Sequence, residues 1–248
     1  MTVFGRVFSL LGAFTQERPA LRLVDLQRAT GLPVSTVHRL ASELVELDLL
    51  RKDGGVYRIG LRLWEVGSLA LQPRTLRDVS LPFMQDLHAA TGENVHLAVL
   101  DGTEVLYVER VWGRRSVEVV THVGGRSPLH ATGVGKVLLA YAPRELQEAV
   151  IRGPLRRYTP HTVVMPGLLM RSLQEIRATG IARCVEQLSL GTVSLAVPVA
   201  DGRGRVVAAL SVVMHTRTYA SVAVEPALRM AARSISRELE HVYTGVPS

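Results

Sequence analysis

A short polar stretch near the start of the chain carries side chains of the kind that bind nucleic acid. Its members supply two hydroxyls, an imidazole and a guanidinium: Ser35, Thr36, His38 and Arg39. Such groups hydrogen-bond phosphates and the edges of bases. Apolar residues among and after them recur at helical spacing: Val37, Leu40, Leu44 and Leu47. This spacing predicts a helix whose polar face contacts a duplex; the alternative is a helical hairpin whose polar face is merely solvated.

Further basic residues lie on a predicted hairpin that follows this helix. Two short β-prone runs, 49–52 and 56–59, are separated by Asp53-Gly54-Gly55, which is typical of a hairpin turn. The basic residues of the hairpin are Arg51, Lys52 and Arg58. Cations on such a wing contact phosphate or enter the minor groove, and the alternative is a solvated charged turn.

The segment H-A-T-G-V-G-K, residues 130–136, resembles a phosphate-binding loop without matching its pattern. The motif needs glycine five positions before the Gly-Lys pair and Ser or Thr after it, where this chain has histidine and valine. Thr132 can nevertheless cap a helix that begins here, which leaves the N–H groups of Gly133 and Val134 free for a small anion. The alternative is a glycine-rich helix start that simply packs on a sheet.

Two serines lie on predicted strands that are otherwise apolar. Ser194 lies among the residues of 193–197 and Ser211 among those of 210–213. A hydroxyl on a buried apolar face needs a partner, either a ligand or, more commonly, a backbone carbonyl. His96, which alternates with Asn94 on an earlier strand, is a weaker candidate for the same cavity.

Motifs for catalysis, metal binding and redox chemistry are missing from the sequence. The eight histidines show no His-Glu-x-x-His or comparable spacing, and no G-x-S-x-G elbow occurs. Cys184 is the single cysteine, so it forms no internal disulfide and is expected to pack as a small hydrophobe. We therefore expect no enzyme activity, no metal and no cofactor.

Composition favours a two-domain protein with a polyanionic partner. The 248 residues are 47% hydrophobic, which supports real cores, and the formal net charge is +7. No apolar run approaches the length of a membrane span, and the first residues lack a signal-peptide pattern. We expect a cytoplasmic protein with no membrane contact.

The predicted elements divide the chain into three parts. Helical spacing between residues 3 and 14, the helical pair at 24–47 and the basic hairpin together make a winged helix-turn-helix at 1–60. Residues 61–75 form a linker helix that Pro73 closes. From residue 76 onward, hairpins joined by helices without regular βαβ alternation predict an antiparallel sheet with flanking helices. In this part Pro82 should kink or break the first helix, and residues 116–123 should form a strand. The fold class is α+β.

Four segments together resemble one known family. Residues 31–40, 57–60, 128–136 and 194–199 look like the corresponding motifs of the IclR family of bacterial transcriptional regulators, in the same order and over nearly the whole chain. The resemblance implies an N-terminal winged helix-turn-helix, a linker helix and a C-terminal effector domain of the GAF/PAS-like type. It also implies homodimers, commonly paired into dimers of dimers, that bind double-stranded DNA operators near catabolic genes.

The resemblance further implies a small-molecule effector, often a carboxylate or an aromatic acid. By motif, the effector would contact the backbone N–H groups of Gly133 and Val134, Val119 on a neighbouring strand, and the side chains of Ser194 and Ser211. We add Thr132 and His96 to this predicted site.

Two departures from the family bear on the effector. Residues 181–187 lack the acidic run that many members have after the glycine corresponding to Gly180, and Val213 stands where a second serine often follows Ser211. Both changes make the pocket less polar, which disfavours a glyoxylate-like or pyruvate-like effector and favours a bulkier, aromatic acid. The prediction is a DNA-binding regulator controlled by an organic acid. The alternatives are an enzyme, and a ligand-binding or protein-interaction module without sequence-specific DNA binding.

Overall fold

The computed structural model divides the chain into two compact units at residues 74 and 75. It describes residues 1–15, 17–69, 71–113, 116–117, 119, 121–219 and 224–244, and for 71–74 and 242–244 it describes the backbone alone. No helix in these ranges is long and apolar enough to cross a bilayer.

The first unit is a winged helix-turn-helix, as predicted. Its elements are α1 (Val3–Leu11), β1 (Ala20–Arg22), α2 (Leu23–Thr30), α3 (Val34–Glu46), β2 (Leu50–Asp53), β3 (Val56–Ile59) and α4 (Leu61–Gly67). The strands form an antiparallel sheet in the order β1-β3-β2. β1 was not predicted, because three residues before a helix carry too short a pattern to identify a strand.

The turn between α2 and α3 follows from Gly31 and Pro33. Gly31 ends α2 with φ 65° and donates its N–H to the carbonyl of Gln27, a left-handed cap that glycine adopts without steric cost. Pro33 follows at φ −57° and precedes α3. Val37, Leu40 and Leu44 of the apolar stripe pack against the other helices and the hairpin. Leu47, which was predicted to belong to this stripe, instead follows the end of α3 and is exposed. Burial of this stripe directs the polar face of α3 outward.

The second unit is an antiparallel sheet with helices on both faces, which confirms the predicted α+β fold. Its elements are α5 (Leu71–Thr91), β4 (Asn94–Asp101), β5 (Glu104–Val111), β6 (Arg126–Pro128), α6 (Gly133–Tyr141), α7 (Arg144–Arg152), α8 (Pro166–Thr179), β7 (Ala182–Val185), β8 (Thr192–Ala200), β9 (Val206–His215) and α9 (Val224–Thr244). The described strands order as β6-β5-β4-β9-β8-β7, and every neighbouring pair is antiparallel.

The two faces of this sheet differ in side-chain size. One face presents large residues such as Leu97 and Leu210 to α5 and α9. The other presents small residues to α6 and α8: Ala98, Ala196 and Ala209. Because these side chains are short, α6 approaches the sheet closely enough to be buried from Gly133 to Ala140. The face covered by α6 is where a cavity forms.

Several predicted element boundaries are wrong. The helix expected up to Pro73 ends at Gly67, and Pro73 instead lies near the start of α5, where a missing N–H costs little. Pro82 does not break α5, which continues to Thr91. Residues 116–117, 119 and 121–123 carry no strand, and the rest of the strand predicted at 116–123 falls outside the described residues. α7 was not predicted.

Gly60 provides a test of the packing after the hairpin. A Cβ at this position would clash with the carbonyl oxygen of Asp48 and lie 2.9 Å from the carbonyl carbon of Leu49. Gly60→Ala should therefore lower the free energy of unfolding by about 2 kcal/mol, as overpacking against backbone does. Chemical denaturation of the full chain measures this change.

Gly67→Ala is the matched control, since a Cβ there meets nothing within 4 Å. It should leave stability unchanged or slightly raise it, because alanine favours helix. Equal stabilities for the two variants would contradict the packing described for Gly60.

Candidate functional site

The predicted recognition residues lie on the exposed side of α3. Ser35, His38 and Arg39 are exposed, whereas Thr36 is half-buried. The Arg39 guanidinium donates to Glu43 Oε1 at 2.6 Å, and both side chains are more than half exposed. An exposed pair of this kind contributes little stability, so Arg39 can exchange Glu43 for another acceptor at small cost.

The three predicted basic residues of the hairpin lie on two different faces. Arg51 lies directly opposite Arg58, both exposed, so two like charges stand side by side on one face. Such cross-strand pairs repel one another, and a polyanion relieves the repulsion. Lys52 lies opposite Tyr57 on the other face, with Nζ 5.2 Å from the centre of the ring. Arg51 and Arg58 therefore form one basic patch, from which Lys52 is separate.

A cavity of about 50 Å³ lies between the start of α6 and the small-residue face of the larger sheet. This is the space open to the centre of a water molecule; the whole space between atoms, its opening to solvent included, is about 480 Å³, which accommodates a small organic molecule. It is lined by all of the residues predicted for the effector site: His96, Val119, Thr132, Gly133, Val134, Ser194 and Ser211. Strand register brings them together, since Ser211 lies opposite His96 on β4, and Ser194 on β8 lies opposite Val213.

Other lining residues were not identified from the sequence. They include Tyr107, Thr121, Cys184, Gln187 and Thr192. Tyr107 and Cys184 could have been predicted, because strand alternation places them on the same face of the sheet as Ser194 and Ser211. Thr121 and Gln187 lie outside regular elements, where periodicity carries no information about side-chain direction.

The start of α6 provides two buried backbone donors. Thr132 caps the helix, and its Oγ1 accepts the N–H of Gly135 at 3.0 Å. The N–H groups of Gly133 and Val134 have no acceptor among the described residues, although both residues are buried. Buried backbone donors are nearly always paired, and the helix dipole favours an anion at this end. The cavity therefore offers two backbone N–H donors where an anionic group is electrostatically favoured.

Gly133 is required for this geometry. A Cβ on Gly133 would lie 2.6 Å from Ser194 Oγ and 3.2 Å from the Cβ of Ala196. Only glycine lets the first turn of α6 approach β8 this closely while leaving space beside it. Ser211 is 1% exposed, and neither its hydroxyl nor that of Ser194 has a hydrogen-bond partner in the part of the chain that the structure describes. These hydroxyls are available to a ligand.

The end of the cavity near β4 and β5 is polar but uncharged. Burial, and next the charge of Arg110, lower the pKa of His96 to about 3, so its imidazole is neutral. His96 Nε2 lies 3.4 Å from Thr121 Oγ1, and the ring meets Tyr107 edge to face at 5.5 Å. Burial raises the pKa of Tyr107 to about 12, so its phenol is neutral as well. This end can exchange hydrogen bonds with a neutral hydroxyl.

The opposite end of the cavity lies near β7. Burial raises the pKa of the Cys184 thiol, an effect that nearby Lys136 partly offsets, so the thiol stays protonated. Among the described residues, no group of three or more His, Cys, Asp or Glu is placed to hold a metal ion. The geometry combines backbone N–H donors at the start of α6 with neutral polar groups near β4 and β5.

Comparisons with known proteins match both units. The family model described as the IclR helix-turn-helix domain matches residues 4–54. The model described as the bacterial transcriptional regulator IclR C-terminal matches residues 68–237. Together the two models cover most of the chain.

Individual relatives agree with the family models. The chain is 32% identical to the HTH-type transcriptional regulator XynR of Escherichia coli over 209 residues, 83% of each chain. It is 35% identical over 191 residues to the HTH-type transcriptional repressor AllR of Klebsiella pneumoniae, 76% of this chain and 70% of that one.

A solved structure is similar over the full length. It is an IclR homologue from Microbacterium hydrocarbonoxydans complexed with 4-hydroxybenzoate, with a TM-score of 0.90 and 35% identity over 97% of this chain and 100% of the other.

The buried neutral state of His96 predicts a pH dependence of stability. The unfolded chain takes up a proton at His96 below pH 6.5, whereas the folded chain does so only near pH 3. Stability from this group is therefore present above pH 6.5 and declines as the pH falls toward 3, by roughly 2 kcal/mol between pH 7 and pH 5. Chemical denaturation at the two pH values measures the decline.

His96→Gln should remove this part of the pH dependence, because glutamine does not titrate. His38→Gln, which removes an exposed histidine from the other unit, is the control and should retain the native decline. If native protein and His96→Gln lose the same stability between pH 7 and pH 5, His96 is not buried in the neutral form.

Proposed function

The chain belongs to the IclR family of bacterial transcriptional regulators, and we propose that it controls catabolic genes in response to an aromatic acid that carries a hydroxyl group. As a member of this family it is a DNA-binding regulator with a C-terminal effector-binding domain, and its curated relatives are regulators rather than enzymes. The alternatives of an enzyme and of a module without DNA binding are thereby removed.

The observation that supports this effector class is the polarity of the cavity. The free N–H groups of Gly133 and Val134 suit a carboxylate at one end, and neutral His96 and Tyr107 suit a hydroxyl at the other. Apolar lining between these ends includes Val119 and Val213. A benzoate with a distal hydroxyl has this sequence of groups. The similar Microbacterium protein was solved with 4-hydroxybenzoate, which is such a molecule.

On the DNA side, we propose that the start of α3 enters the major groove. Ser35, Thr36, His38 and Arg39 would then contact base edges and adjacent phosphates. Arg51 and Arg58 would place their shared basic patch against the backbone or in the minor groove, and Lys52 would contact a phosphate from the opposite face of the hairpin.

Coupling of effector binding to DNA binding requires a part of the protein that can adopt more than one arrangement. We propose a DNA-binding domain at 1–60, a linker at 61–75 and an effector and oligomerisation domain at 76–248. The assembly would be a homodimer, paired into a dimer of dimers, that acts in the cytoplasm. An effector can alter DNA affinity only by binding one arrangement of the subunits more tightly than another.

Calorimetric titration tests the effector class. We expect 4-hydroxybenzoate to bind at least about tenfold more tightly than pyruvate, since only the larger acid reaches both polar ends of the cavity. Gly133→Ala should weaken 4-hydroxybenzoate binding by about thirtyfold or more, because the added methyl displaces Ser194 and shields the donors.

Gly167→Ala is the matched control, since a Cβ at that position in α8 meets nothing within 4 Å. It should bind 4-hydroxybenzoate as the native chain does. Binding of pyruvate alone, with no response to benzoates, would overturn the aromatic effector.

Two substitutions separate base contacts from phosphate contacts. Arg39→Ala should reduce affinity for an operator selected from genomic fragments and change affinity for random duplex little. The difference in binding free energy between the two DNAs should fall by about 1–3 kcal/mol. Lys52→Ala should weaken both equally and lower the slope of log affinity against log salt by about one. Binding assays across a salt series measure both effects.

Arg177→Ala, an exposed arginine of α8 in the other unit, controls for loss of a positive charge. It should leave operator affinity unchanged. Indistinguishable salt slopes and discrimination for Arg39→Ala and Lys52→Ala would contradict the two assigned roles.

A further inference from the structure

A lysine without a carboxylate partner lies behind the effector cavity. Lys136, in the second turn of α6, is 2% exposed, and its Nζ donates to Gln187 Oε1 at 2.7 Å. In the described part of the chain no Asp or Glu oxygen lies within 4.0 Å of this ammonium. A buried cation is costly unless an opposite charge compensates it. No described carboxylate therefore forms an ion pair with this ammonium, although Glu175 and Glu225 line a neighbouring cavity with it.

The ammonium determines which way the Gln187 amide points. A lysine ammonium is only a donor, so the amide must present its carbonyl oxygen to Lys136 and its NH₂ group elsewhere. Gln187 lines the effector cavity, and its Nε2 has no acceptor among the residues that the structure describes. Its amide therefore has N–H donors free for a ligand, whereas its oxygen is already engaged by the lysine.

The backbone of the residue before Gln187 is held in an uncommon conformation. Glu186 has φ 54°, in the left-handed region that residues other than glycine rarely adopt. Its carbonyl oxygen accepts a hydrogen bond from the Thr159 hydroxyl at 2.6 Å, and its Oε1 accepts one from the N–H of Gly191 at 2.7 Å. The carbonyl of Gln187 accepts Thr162 Oγ1 at 2.7 Å. Strain that surrounding contacts maintain is typical of functional positions, and here it fixes the residue that reaches the cavity.

We infer that Gln187 determines the effector's charge specificity, donating its amide N–H to the anionic group of the ligand while Lys136 holds the amide in that orientation. The inference rests on the proposed function, because it concerns the same cavity and an acidic effector. The neutral thiol of Cys184 beside Lys136 leaves the ammonium's charge available to stabilise that anion. The cavity should therefore prefer an acid to its uncharged amide.

Two substitutions of Gln187 separate loss of the donor from added negative charge. Gln187→Met, close in size to glutamine, removes the amide, and Gln187→Glu replaces the donors by acceptors and pairs with Lys136. Calorimetry with 4-hydroxybenzoate and with 4-hydroxybenzamide measures their effects. We expect Gln187→Met to weaken binding of the acid by about tenfold and Gln187→Glu by about a hundredfold, as for hydrogen bonds to charged groups. Binding of the amide should change less than about threefold in both.

Gln85→Met and Gln85→Glu make the same changes at an exposed position of α5 and should bind both ligands as the native chain does. The role of Gln187 is overturned if Gln187→Met binds the acid like the native chain, or if acid and amide lose affinity equally. Absence of acid binding by the native chain would instead overturn the proposed function itself.

Discussion

The close approach of the first turn of α6 to the sheet is the constraint on which the effector site depends. It requires a glycine at 133, where a Cβ would meet Ser194, and small side chains such as Ala196 on the facing strands. This approach buries the N–H groups of Gly133 and Val134 where the described protein groups offer no acceptor. A buried donor without a partner is costly, so a ligand that accepts these hydrogen bonds would remove a cost that the packing of α6 creates.

Charge is distributed unequally around the cavity. The helix dipole of α6 and the ammonium of Lys136 make one side of the cavity favourable to an anion. On the other side, burial keeps His96 and Tyr107 in their neutral forms. A ligand with an acidic group and a neutral hydroxyl meets both environments, whereas a small dianion or a neutral molecule meets only one. The selectivity that we propose thus rests on desolvation and dipoles as much as on shape.

The winged helix-turn-helix was predictable because its signals are local. Gly31 and Pro33 define the turn, the apolar stripe of α3 sets its buried face, and Asp53-Gly54-Gly55 sets the hairpin. The elements and boundaries that the sequence did not predict correctly also have local causes. β1 is too short to show alternation. A proline after a helical pattern predicts a helix end, whereas Pro73 lies in the first turn of α5, where proline is tolerated. The opposite faces of Arg51 and Lys52 follow from strand alternation once the register is known.

The sequence by itself determined the family, the α+β fold, the polar face of α3 and the motif residues that line the cavity, because these depend on spacing along the chain. Only the tertiary structure decided what those residues meet. Register across strands far apart in sequence placed Ser211 beside His96, and a loop after β7 brought Gln187 to Lys136, 51 residues away. Periodicity describes which face a side chain takes, but contact across the fold depends on packing, which no local pattern encodes.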